Sequence, residues 1–153
     1  MKALMNRLFP LLLLLTILGC GSSEEESTKS FTPPADGKIT DEMASKYVKA
    51  SQSLMGAIKI HTERMSKFRD RHGLQNSDLI KLTDSTYRIE HPKVIREWDK
   101  LQEKWKQEEN KAYMVAGISE DEFTWIASAL TDTVRNAEIQ KDIEKKLEAI
   151  QKE

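Results

Sequence analysis

The sequence predicts an all-α fold, a small antiparallel bundle of about four helices, within residues 39–153. Three observations carry this. Apolar residues recur at steps of three and four, which line one face of a helix. Start and stop residues fall where those stripes begin and end: Thr40, Pro92 and Ser119 at starts, Gly73 and Gly117 at ends. The connections between stripes are short, which favours an up-and-down path.

The first helix is expected to start at Thr40 as N-cap, with Asp41 and Glu42 set against the helix dipole. Its stripe is Met43, Ala44, Tyr47, Val48, Leu54, Met55, Ile58, Met65 and Phe68. This spacing fits a period of 3.6 far better than 2. Gly73 suits the left-handed position that ends a helix. Lys67, Arg69, Arg71 and His72 fall in the last turn, where cations are favoured. Gly56 costs about 1 kcal/mol against alanine in a helix interior and marks a candidate close crossing.

A second helix is expected from Ser77 to His91, with Leu79, Ile80, Leu82, Tyr87 and Ile89 as its apolar residues. Thr83, Thr86 and Tyr87 favour strands, so its propensity is mixed. His91-Pro92 ends it, since the residue before proline avoids the α region. Pro92 opens a third helix, with the stripe Ile95, Trp98, Leu101 and Trp105. Glu97–Lys100, Lys104–Glu108 and Glu108–Lys111 are expected as pairs along that helix. Ser119 to Glu122 reads as a capping box, with Ile118 and Phe123 as its hydrophobic staple. A single last helix then runs through Ile126, Leu130, Val134, Ile143, Leu147 and Ile150, its charged end from Lys141 fraying or projecting.

The segment before residue 39 has another character. Met1 to Arg7 carries Lys2 and Arg7 and no acid, and Leu8 to Leu18 is apolar apart from Pro10 and Thr16. Those 11 residues would span roughly 16 Å as a helix, against about 20 residues for a bilayer core. The segment therefore reads as a signal h-region. It closes on Ile17-Leu18-Gly19-Cys20, and Cys20 is the single cysteine of the chain. This resembles the signal peptide and lipobox of bacterial lipoproteins, with Ile17 where leucine is commoner. The resemblance implies that residues 1–19 are removed and that the Cys20 thiol carries a diacylglycerol. Two or three acyl chains anchor a protein stably, at about 0.8 kcal/mol per buried CH₂. Gly21 follows in place of an inner-membrane retention aspartate, which favours the outer membrane, facing the periplasm. A lone cysteine has no internal disulfide partner, and a free thiol is a liability in an oxidising compartment.

Residues 20–38 are polar, acidic and rich in Pro and Gly, the composition of a disordered linker. The 18 residues from Gly21 to Lys38 span roughly 25 Å if flexible. The Glu24 to Glu26 triplet reads as solubilising. Without Lys2 and Arg7 the mature chain has 22 basic and 25 acidic residues, a net charge near −3. That balance argues against nucleic acid as a partner.

Chemistry is sparse. The histidines His61, His72 and His91 form no metal motif, and no cofactor is expected. His61 and Met65 share a helix face, but haem pairs in bundles usually come from opposite helices. No nucleophile motif or phosphate loop occurs, so no catalytic residue is expected. The candidate interaction residues are Trp98, Trp105, Arg69 and Arg71. The tryptophans read as core or as an indole-lined interface. The cluster Lys67, Arg69, Arg71 and His72 could meet lipid headgroups or an anionic ligand. The expected function is a membrane-anchored lipoprotein with a non-catalytic domain that binds a protein or another envelope component. The alternative is a bundle that holds an apolar molecule, haem or metal, in a pocket lined by Tyr47, Met55, Met65, Trp98 or Trp125.

Overall fold

The computed structural model describes residues 31–132 and 134–151, and these are helical with no strand among them. Cys20, the signal segment and most of the expected linker lie outside the described residues.

Helix α1 runs Asp41–His72. Thr40 caps it, its side chain accepting the Met43 N–H at 3.2 Å, and Gly73 ends it at φ 62°. At 1.5 Å per residue α1 is about 48 Å long. A 3-10 helix, Asn76–Thr83, and a short helix α2, Ser85–Glu90, follow. Helix α3 runs Pro92–Ala116 and ends at Gly117, φ 69°. Helix α4 is Glu120–Ala129 and α5 is Ala137–Ile150.

Helices α1 and α3 form an antiparallel hairpin. Arg64 meets Glu108, and seven residues further up α1, Arg71 meets Glu97 lower down α3. Helix α5 runs in the same direction as α1. Its leading residue Asn136 bonds Ile39, and Gln151 beyond its end reaches the Met55 sulfur at 3.9 Å. With 14 residues, α5 covers only the first half of α1.

This length difference divides the interior in two. The larger core holds Met43, Tyr47, Leu54, Tyr113, Phe123, Ile126 and Ile143. Phe123 stacks on Tyr47 at 4.6 Å between centroids and tilts against Tyr113 at 5.3 Å. Fully burying a large apolar side chain contributes about 1.5–3 kcal/mol. The smaller core, toward the far end of the hairpin, is Phe68, Leu82 and Ile95, with Trp98, Leu101 and Tyr87 packed against it. The 3-10 helix and α2 cover this end.

Several expectations need correction. The segment expected as one helix from Ser77 is a 3-10 helix and then α2. Two caps stand close together: the Asp78 carboxylate accepts the Gln75 N–H at 2.8 Å, and Asp84 accepts the Tyr87 N–H at 2.9 Å. Each favours a fresh start over a continuous ladder. The last helix is two helices. Asp132 accepts the Val134 and Arg135 N–H groups at 3.2 and 3.0 Å, turning the chain, and Val134 is left 90% exposed. The charged end of α5 does not fray before Ile150, because Ile143 is buried and Leu147 packs on the larger core. Gly56 marks no crossing: a Cβ there would meet nothing within 4 Å. The capping Ser119 accepts the Glu122 N–H at 3.0 Å, and Ile118 and Phe123 beside it are both buried. Phe31, within the expected linker, packs against Trp125 with centroids 5.6 Å apart.

Candidate functional site

The far half of the hairpin gathers the charged residues. On α1, Arg64, Lys67, Phe68 and Arg71 are spaced three, one and three apart, which puts them on one face. On α3, Glu97, Lys100, Leu101 and Lys104 share a face by the same rule. The two faces enclose a groove of about 280 Å³, lined by these eight residues. Phe68 and Leu101 supply its apolar part, over the smaller core.

Its carboxylates bridge the helices. Arg71 Nη1 lies 2.7 Å from Glu97 Oε2, and His72 Nε2 lies 3.1 Å from the same oxygen. The His72 hydrogen bond, with the Arg71 charge, holds the Glu97 carboxyl below its usual range. Arg64 Nη1 donates to Glu108 Oε1 at 2.6 Å. The pairs expected along α3 are thus replaced by pairs across to α1. The reason is geometric: Glu97 and Glu108 face a partner helix whose cations sit opposite. Lys100 and Lys104 are left on the groove, and with Lys67 they form no ion pair among the described residues. Five cations, Arg64, Lys67, Arg71, Lys100 and Lys104, therefore line the groove with Glu97 as its one carboxylate, while Glu108 pairs with Arg64.

Between the two cores the His61 ring lies 4.9 Å from the Trp105 ring. His61 Nδ1 and Glu108 Oε2 are both buried with no hydrogen-bond partner. Burial lowers the His61 pKa; the Glu108 charge opposes this and the Arg64 charge adds to it.

The candidate residues are not all brought together. Arg71 lines the groove. Arg69 turns away, its Nη1 donating to Asn76 Oδ1 at the start of the 3-10 helix. Trp98 is half-buried beneath the groove, 5.9 Å from Phe68 between centroids. Trp105 is half-buried further along, against His61. Lys100 and Lys104 were not among the candidates. Their signal was present: a cationic stripe at Lys100 and Lys104, opposite another at Arg64, Lys67 and Arg71.

A second concavity, lined by Ile39, Val134, Asn136 and Ile139 among others, lies where the described chain enters the larger core. Neither concavity is lined by Tyr47, Met55, Met65, Trp98 or Trp125. Among the described residues no three His, Cys, Asp or Glu side chains are placed to hold a metal ion. Nor is any described helix long and apolar enough to cross a membrane. No protein-family model, curated protein or solved structure matches this chain.

Proposed function

We propose that the chain is a bacterial envelope lipoprotein, held by acyl chains on Cys20, whose helical domain binds a partner and performs no catalysis. The observation that carries this is the run from Met1 to Cys20, with its basic start, short apolar core and single terminal cysteine. Removal of residues 1–19 would leave the stretch from Cys20 to Phe31 as a tether to the outer membrane, on its periplasmic side, since Phe31 packs against Trp125. The domain then acts as an antiparallel helical bundle, with the α1–α3 hairpin as its spine. Support for a binding role comes from the groove, a concentration of cations in a chain of formal net charge −1.

Radiolabelled palmitate supplied to cells tests the anchor. Label on the wild-type chain and none on Cys20→Ser is the expected result. Label that survives the substitution would overturn the reading.

A further inference from the structure

We propose that the α1–α3 groove is a binding site for a multiply charged, phosphate-bearing anion. Three observations converge on it. Lys67, Lys100 and Lys104 are exposed, line one concavity and have no ion-pair partner among the described residues. Arg64 and Arg71 flank them, each already fixed by one carboxylate, so the rim is held in place while the lysines stay available. The groove also has an apolar side in Phe68 and Leu101, which suits a ligand whose charged head joins a less polar body. A single carboxylate would neutralise one of these charges. A phosphate ester or diphosphate answers two or three, with oxygens for several ammonium donors.

The ligand is a lipid headgroup or a soluble phosphate. The proposal rests on reading the domain as a binding module and not on the anchor, so it stands or falls apart from Cys20 labelling.

The test uses the full chain in neutral detergent micelles, followed by amide NMR shifts. One arm adds inorganic pyrophosphate. The other dopes the micelles with short-chain phosphatidylglycerol, against phosphatidylcholine as control. The expected result is movement confined to residues 64–71 and 97–104 in at least one arm, weakening as salt rises. Response to pyrophosphate identifies a soluble phosphate; response to phosphatidylglycerol alone identifies a headgroup. Replacing Lys67, Lys100 and Lys104 together by Gln should weaken binding about a hundredfold at low salt, near fivefold for each single change. All three are exposed, and the single changes serve should the triple variant unfold. No movement in either arm, or binding that the lysine changes leave untouched, overturns the proposal.

Discussion

Asn136 Oδ1 accepts the backbone N–H of Ile39 at 3.0 Å, across 97 residues of sequence. The same side chain donates from Nδ2 to the carbonyls of Ala129, at 3.1 Å, and Gly37, at 3.3 Å. Asn136 is only 4% exposed. One buried amide thus joins the entering chain, the end of α4 and the start of α5. Asn136→Ala would strand the buried Ile39 N–H and take one donor each from the half-buried Gly37 and Ala129 carbonyls, the latter keeping the Asp132 N–H; the stranded N–H alone costs on the order of 1–3 kcal/mol. A loss of about 2–3 kcal/mol in urea unfolding is expected, with an unchanged m-value. A loss below about 0.5 kcal/mol would show that water replaces the amide freely.

The two cores predict uneven stability. Among the described residues, Phe68, Leu82 and Ile95 are the buried members of the distal one, while the proximal core is several times larger. Local opening should therefore be easiest in residues 76–90. Leu82 is fully buried, so Leu82→Ala should cost about 2–5 kcal/mol if the site cannot collapse. Amide hydrogen exchange should quicken across the 3-10 helix and α2, and change little near Asn136 and Ile143. Equal acceleration in both cores would mean that they unfold as one unit.

His61 predicts a pH dependence. Burial lowers its pKa below the ordinary 6.5, so the folded chain binds fewer protons than the unfolded chain. Stability then falls as pH drops below 6.5, until the folded pKa is passed. Glu109 acts in the opposite sense. Burial and the Glu120 charge raise its pKa above 4.5, so its share favours the folded chain as pH falls toward that value. Comparing wild type with His61→Gln isolates the first effect. The variant should lose less stability than wild type between pH 7.5 and 5.5, by thermal melts in constant ionic strength. Parallel profiles would contradict the assignment.

Helix ends with strong local chemistry were legible in the sequence. Thr40, Gly73, Gly117 and Ser119 stand where their residue types predict, because caps act within one turn. The break at residues 130–136 was not. Apolar spacing continues across it, and the turn depends on Asp132 bonding its own neighbours while Asn136 is buried by distant residues. The groove was half legible. Arg71 and Lys67 stood out as a helix end, but the lysines of α3 gained meaning only when Glu97 and Glu108 turned to α1. Pairing along a helix is a local rule, and pairing across helices needs the fold. Cys20 is the reverse case, a reading that rests on sequence alone.

The anchor is tested most directly by the intact mass of the protein extracted from membranes. The account predicts a chain that begins at Cys20 and carries the added mass of a diacylglycerol, with or without a further acyl group on its amine. A chain that still holds Gly19 before Cys20, or that begins at Cys20 with a free thiol, would contradict it.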